Sequence, residues 1–587
     1  GVMGKFSFIV FTDSHVTAVD GATDSPFHVN SLSNGRFHKA IKMMSQLDGD
    51  FALNLGDMVH PLPGTNDYIT ATKRYFELAK DLKHQHYCIP GNHDIGDKPS
   101  KWVPAAEISS ESISQYKSCF GNDYRSFDHK GWRFILLNAE LFNSTLAENN
   151  EQKEWFEGQL RTASVGRTVI AVHYPPFLHS PNEVDHYDNL GPADRQWLLG
   201  MFKDYRVPIV LSGHVHNFWY NTFADTELLI VPSTSFIRQD YSEMYSRPSP
   251  LEGGRDDINK LGFVRIEIDE DDVSWRFYRT FGGEDENRIH RPVSHRPKDR
   301  RNVSFGADMR LPWITHHEIP PSGALDEFYR KQVRNDYPFL ALYELGINRL
   351  RLPLEDLFNA QTRNRLSEIK KLGFEYTFYC LDTSLQSLET SGAAAINLID
   401  TLEIVFCVSD ISAICETVDK VRGMLKCKVL FSPLSKASGA TDEFGRHLHI
   451  IQHGFSSDSL SDLSSHIDVS RNFDELIKKF DGLVCRLDLV SASTSDWDKI
   501  VTWASKNSGE LHLLTSCKSS SPANTFDDEH LLTKKLKALW NRANSMPDHI
   551  TFFSDSLVDV DRGYFRRAGV IDRLGNPRKA WHMLMRA

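Results

Sequence analysis

Five short apolar runs, each ending at once in a tight cluster of polar residues, constrain this chain more than any other feature of its sequence. The runs at 6–11, 51–55, 87–89, 168–172 and 207–211 are rich in β-branched and aromatic residues and read as buried strands. They lead into Thr12-Asp13-Ser14-His15, Gly56-Asp57, Pro90-Gly91-Asn92-His93-Asp94, His173-Tyr174-Pro175-Pro176 and Ser212-Gly213-His214-Val215-His216. Open α/β sheets place their ligands in the crevice beyond the carboxyl ends of the strands. Asp13, His15, Asp57, Asn92, His173, His214 and His216 are therefore expected to converge there. In each i, i+2 pair, extended backbone sends both side chains to one side. Taken singly, each block is an ordinary turn or cap. Five of them in succession, each after an apolar run, require a shared purpose.

Carboxylate, imidazole and amide donors together suit divalent Mn, Fe, Zn or Co better than Ca or Mg. Seven donors are too many for one ion. Two ions about 3.5–4 Å apart, sharing one carboxylate, would use them all. That leaves His93 free to handle a proton, with Asp94 placed to fix its imidazole tautomer.

Around these runs the chain alternates strand and helix. Helical periodicity appears at 34–47, through Phe37, Ile41 and Met44, and again through Tyr68, Tyr75, Phe76, Ala79 and Leu82. A strand is read at 134–137, and a closing hairpin at 263–268 and 273–279. This gives a layered α/β domain over 1–282 and a charged linker over 283–310. Apolar runs at 347–352, 374–380, 403–408, 428–431, 448–452, 483–487, 511–514 and 550–553 follow, separated by helical stretches. Eight such units over 311–587 predict a (β/α)₈ barrel.

The chain has 587 residues, 40% hydrophobic and 25% charged, and no apolar run nears the roughly 20 residues of a membrane span. A net charge of −11 opposes a nucleic-acid polymer as partner. Eight cysteines without a CxxC pair, and no basic and apolar leader, read as a reduced, cytoplasmic protein with no membrane partner.

The blocks FTDSH, LGD, GNHD, VHYPP and SGHVH resemble those of the calcineurin-like metallophosphoesterase superfamily, over roughly residues 3–282. The resemblance implies a two-metal αββα sandwich. Asp13, His15, Asp57 and His216 would hold one ion, and Asp57, Asn92, His173 and His214 the other, with Asp57 as the bridge. It also implies that His93 lies near the leaving-group oxygen, with Asp94 behind it. VHYPP and Pro232-Ser233-Thr234-Ser235-Phe236 are most similar to the branch that hydrolyses small phosphodiesters, cyclic nucleotides and glycerophosphodiesters among them. Tyr174 stands where that branch often has a second His, and His60 completes a GDxxH block. Both are expected near a small phosphodiester substrate.

The ending Phe552-Phe553-Ser554-Asp555, Gly563 and 572–581 resembles that of glycoside hydrolase barrels. Those enzymes carry Glu residues after strands four and seven. Here the runs counted fourth and seventh lead into Ser432-Pro433-Leu434-Ser435 and Thr515-Ser516-Cys517-Lys518. The barrel is therefore expected to be a non-catalytic scaffold that shapes the substrate entrance, binds a sugar-like portion or supports a homo-oligomer.

Overall fold

Every residue of β1 (Phe6–Phe11) is buried, because this strand runs through the middle of a sheet that is itself covered on both faces. The structure is a computed structural model. It describes residues 4–23, 25, 27–100, 106–242, 244, 257–282, 303–309, 313–321, 327–407, 410–435, 452–456, 476–489, 497–502, 509–517, 528–555, 557–559 and 568–587. The chain divides into two compact units, Gly1–Pro292 with His316–Asp336, and Val293–Thr315 with Tyr337–Ala587.

In the first unit β1 pairs in parallel with β2 (Phe51–Asn54), which pairs in parallel with β3 (His86–Cys88). A second sheet has the order β4-β5-β6-β7-β9-β8, from β4 (Arg125–His129), β5 (Trp132–Leu136), β6 (Thr168–Val172), β7 (Ile209–Ser212), β8 (Trp219–Phe223) and β9 (Thr226–Ile230). The hairpin of β10 (Gly262–Asp269) and β11 (Asp272–Arg279) returns to pair antiparallel with β1.

The period of two along a strand sorts the side chains into layers. Phe8 and Phe51 point to the second sheet, where the Phe134 ring meets them edge-on at 5.0 and 4.9 Å. Ile9, Phe11 and Ala52 point the other way, onto α1 (Ser33–Ser45) and α2 (Tyr68–Ala79) through Phe37, Ile41, Met44 and Tyr75. On the far side Ile135, Ile170 and Val210 pack under Phe156, Leu160, Leu198 and Phe202, from the helices Ala147–Thr162 and Pro192–Asp204. The result is the αββα sandwich. Each buried side chain of this kind contributes about 1.5–3 kcal/mol of transfer free energy.

A second hairpin, β13 (His316–Ile319) and β14 (Lys331–Arg334), belongs to this unit although it follows the expected linker. Arg334 Nη2 donates to Tyr220 O at 3.0 Å, and Tyr220 N donates to Asp336 Oδ2 at 3.0 Å. Arg334 at the end of the hairpin and Asp336 just beyond it thereby satisfy backbone groups of β8, the edge strand of the second sheet. The sequence reading closed the domain at 282, because no local pattern shows that a strand so far along returns to this edge.

The second unit is a closed barrel of eight parallel strands. In order these are β12 (Phe305–Asp308), β15 (Arg349–Pro353), β16 (Glu375–Leu381), β17 (Thr401–Phe406), β18 (Lys428–Ser435), β21 (Gly482–Asp488), β22 (Glu510–Ser516) and β23 (Ile550–Ser554). β23 closes on β12. Seven of the eight expected runs are barrel strands. The first strand, β12, lies instead in the segment read as linker, where four residues including Gly306 carry too little apolar signal to stand out from the charges around them. Of the expected run at 448–452, residues 448–451 lie outside the described residues. The two-residue strand β19 (Gln452–His453) runs antiparallel to the end of β18, and β20 (Phe455–Ser456) pairs in parallel with β21.

This shifts the barrel count by one in its first half, so that strand four is β17 and contains Glu403. That carboxylate is fully buried and accepts from Arg351 Nη2 at 2.5 Å, while Arg351 Nη1 reaches Asp308 Oδ2 at 2.8 Å. The guanidinium lies 3.8 Å above the Tyr379 ring, so Glu403 is pinned among strands one, two and three. Strand seven, β22, leads as expected into Thr515, Ser516 and Cys517.

Candidate metal centre

Backbone strain marks the site before any side chain is considered. Asp13, His15, Asp57, His214 and His216 all have positive φ, at 55, 44, 54, 74 and 54°. Non-glycine residues rarely adopt this region, and such strain gathers at functional sites. It is held by loop-to-loop bonds: Asp13 N donates to Gly56 O at 2.9 Å, and His15 N to Asp57 O at 3.0 Å. Gly91 allows the next loop to close over them, since a Cβ there would lie 2.2 Å from both Asp57 N and Asp57 Oδ1. Gly91→Ala is therefore expected to lose about 1–3 kcal/mol of stability by overpacking and to lose bound metal. Thermal melting with elemental analysis checks this, and two retained ions at an unchanged Tm would refute it.

The seven expected donors come together in two groups that share one oxygen. Donor atoms of Asp13, His15, Asp57 and His216 all lie within 4.8 Å of one another, and so do those of Asp57, His173 and His214. Asp57 Oδ1 accepts the His93 N–H at 2.8 Å. This leaves Asp57 Oδ2 to both groups, 3.5 Å from His15 Nε2 and 3.3 Å from His173 Nε2. Asn92 Oδ1 lies 3.1 Å from both His173 Nε2 and His214 Nδ1 and completes the second group.

Backbone carbonyls determine which nitrogen each histidine presents. His173 Nδ1 faces Leu55 O at 2.7 Å, His216 Nδ1 faces Phe236 O at 2.6 Å, and His214 Nε2 faces Tyr187 O at 3.1 Å. A carbonyl can only accept, so each outer nitrogen carries a proton and the inner nitrogen is the one left to face an ion. The inner nitrogens then face one another: His15 Nε2 is 3.0 Å from His216 Nε2, and His214 Nδ1 is 3.3 Å from His173 Nε2. Asp13 joins them. Its Oδ2 accepts from Thr12 Oγ1 and His214 N, while the buried Oδ1 faces the inner nitrogens of His216 and His15 at 3.2 and 3.7 Å. A cation placed in each group is matched by these convergent nitrogen and oxygen atoms, so the donor set fits divalent metal.

Burial pushes the imidazoles of His15 and His214 down to about 4, which keeps them in the neutral form a ligand needs. His173 behaves oppositely. Burial works against its charge, but the Asp57 carboxylate beside it outweighs this and raises it to about 10. A cation entering the second group must therefore displace a proton.

His93 and His60 flank this centre, with rings stacked at 4.8 Å, and His60 Nδ1 lies 3.1 Å from His15 Nδ1. The expected link from Asp94 to His93 is corrected by the structure. The Asp94 carboxylate accepts from the backbone N–H groups of Gly91, Met58 and Val59, at 2.8, 3.2 and 3.2 Å. It clamps the loops, and burial followed by repulsion from Asp57 raises it to about 7. His93 Nδ1 instead meets His60 O at 2.6 Å. Tyr174 also departs from expectation. It is wholly enclosed, with its ring 4.4 Å from that of His214, so it supports a donor and offers no face to a substrate. Tyr187 and Asp188, which touch Asn92 and His214, escaped the sequence reading; their only signal is a polar run, 185–189, between VHYPP and the proline that opens the next helix.

A four-layer α/β sandwich with two carboxylate-linked nitrogen and oxygen clusters at its strand ends defines a metallophosphoesterase domain. Residues 6–218 match the calcineurin-like phosphoesterase family, and this chain carries a calcineurin-like phosphoesterase domain. It is 30% identical over 191 residues to "Serine/threonine-protein phosphatase CPPED1" of Rattus norvegicus, covering 31% of this chain and 57% of that protein. It is 26% identical over 208 residues to "3',5'-cyclic-nucleotide phosphodiesterase alr5338" of Nostoc, covering 35% of this chain and 70% of that protein. The chain thus spans a little over half the length of the phosphatase relatives. Among solved structures, a purple acid phosphatase from yellow lupin is similar at 16% identity with a TM-score of 0.34, over 48% of this chain and 53% of that one.

Proposed function

We propose that this protein is a binuclear-metal phosphodiesterase of small organic phosphodiesters. The observation that carries the reading is Asp57 Oδ2, the one oxygen available to both donor groups, with His93 seated on the other oxygen of the same carboxylate. Asp13, His15, Asp57 and His216 would hold one divalent ion, and Asp57, Asn92, His173 and His214 the other. Such ions supply Lewis-acid stabilisation of the charge that develops on phosphoryl oxygens.

The chain's own residues do the rest. Because His93 Nδ1 donates to His60 O, Nε2 is the nitrogen left for proton exchange with a departing oxygen. The buried, carbonyl-anchored donors keep their geometry through the reaction, so little reorganisation is needed as charge develops. The chain's acidic balance favours a small substrate over a nucleic-acid polymer.

The phosphatase relatives favour a second reading, a phosphomonoesterase on the same residues. Protein reconstituted with Mn, Co, Zn or Fe and assayed on a nitrophenyl diester and the matching monoester separates the two. The diester is expected to turn over at least about tenfold faster, a gap of about 1.4 kcal/mol in activation free energy. The reverse order supports the monoesterase, and no turnover of either with any metal supports a binding protein. Chromogenic glycosides are expected to stay at background, because Glu403 is locked by Arg351 and strand seven ends without a carboxylate.

A further inference from the structure

The loop 185–189 joins the centre at two of its donors while supplying none itself. Asn92 Nδ2 donates to Tyr187 Oη at 2.9 Å, and this bond turns the amide oxygen toward His173 and His214. The carbonyl of the same tyrosine, with Asp188 Oδ1, takes the outer nitrogen of His214, each at 3.1 Å. Asp188 is in turn fully buried and firmly held. Arg238 engages it with both terminal nitrogens, at 2.5 and 3.0 Å, Lys331 Nζ reaches Oδ2 at 2.5 Å, and the Tyr241 hydroxyl bonds the same oxygen. Asp240 accepts from both cations, at 2.7 Å each, so two carboxylates and two cations balance. From the other side the buried Lys98 ammonium pins the loop, at 3.1 Å from Asp185 Oδ1 and 2.5 Å from His186 O, with a further bond to Asn189 O.

We propose that Tyr187 and Asp188 are positioning residues for one subsite only, the one formed by Asp57, Asn92, His173 and His214. Tyr187 sets which end of the Asn92 amide faces the ion, and Asp188, on the nitrogen that the Tyr187 carbonyl also takes, sets the tilt of His214 and supplies the negative charge behind it. Lys331 lies on β14, well beyond the family match at 6–218, so the segment 316–336 is part of the catalytic unit. The inference rests on the two-ion reading above, and it adds an asymmetry that reading does not contain: the Asp13, His15 and His216 donors have no contact with this loop in the bonds described.

Tyr187→Phe is the decisive variant. It deletes the hydroxyl but keeps the carbonyl that faces His214 and the ring on which Arg238 stacks at 5.1 Å. Asp188→Asn tests the second contact. Full-length protein is stripped of metal and titrated with Mn²⁺ by calorimetry, with the fold followed by circular dichroism. For each variant one of two Mn²⁺ equivalents is expected to weaken by about 10–100-fold, the range for loss of an outer-shell partner, while the other stays at its wild-type affinity. Excess Mn²⁺ should restore kcat with KM unchanged. Unaltered affinity for both equivalents in Tyr187→Phe overturns the proposal, as does equal weakening of both. A raised KM at unchanged metal affinity also overturns it and makes Tyr187 a substrate contact. Wild-type protein that takes up no Mn²⁺ overturns the two-ion reading together with this inference, whereas two tight equivalents in wild type and variant alike defeat the inference alone.

Discussion

Asp57→Asn is expected to abolish turnover and to empty both donor groups while the sandwich stays folded. The carboxylate does two jobs at once: Oδ1 takes the His93 N–H, and Oδ2 stands between His15 Nε2 and His173 Nε2. An amide has the same shape but only one acceptor. If its oxygen keeps the His93 bond, its NH₂ replaces Oδ2 and points at two imidazoles, offering protons where an ion needs a lone pair. If the amide flips, the His93 N–H loses its acceptor. Either way the shared charge is gone, and removal of a single transition-state donor already costs about 10²–10³-fold in kcat. The loss here should exceed that. Circular dichroism should be unchanged, because the surrounding loops are held by backbone bonds and by Asp94. Elemental analysis showing two ions at full activity would refute the assignment of Asp57 as bridge.

His93→Ala should depress hydrolysis of an alkyl phosphodiester far more than that of a nitrophenyl one. A nitrophenolate departs readily as an anion, whereas the alkoxide of glycerol or ribose needs a proton as the bond breaks. His93 is placed to give one, half-buried beside Asp57, with Nδ1 committed to His60 O. General acid catalysis contributes about 10²–10⁴-fold, and the alkyl substrate should lose a factor in that range. Metal content should stay at the wild-type level, since Asn92 still holds its place. A leaving-group series on both proteins checks this, and the variant should show the steeper dependence. Equal losses on all substrates with metals retained would make His93 an electrostatic stabiliser, and loss of metal would make it structural.

The donor set was legible in the sequence because its physics is local. A ligand at the mouth of an α/β sheet must follow a strand end within a few residues, so FTDSH, LGD, GNHD, VHYPP and SGHVH each carry strand and donor in one readable block. The layered α/β domain was legible for the same reason, whereas the αββα sandwich came from the resemblance of those blocks to a known family. In β1 Phe8 and Ile9 are both apolar, so only the fold shows that one faces the second sheet and the other the helices. Barrel strands with long apolar runs could be counted, but β12, at four residues with a glycine, could not.

What orients those donors was not legible. The partners that set the imidazole tautomers are the carbonyls of Leu55, Phe236 and Tyr187, and a backbone oxygen has no letter of its own. Asp94 was assigned to His93 because it is adjacent in sequence, yet the tight turn aims its carboxylate at the N–H groups of Met58 and Val59. Asp188 and Lys331 meet at 2.5 Å across 143 residues, and no periodicity or motif encodes such a pair. Which candidate donors follow which strands can be read from the letters alone, because that follows from short-range chain geometry. How each donor is turned, which charges brace it and that 316–336 belongs to the first compact unit depend on contacts between segments that folding alone brings together.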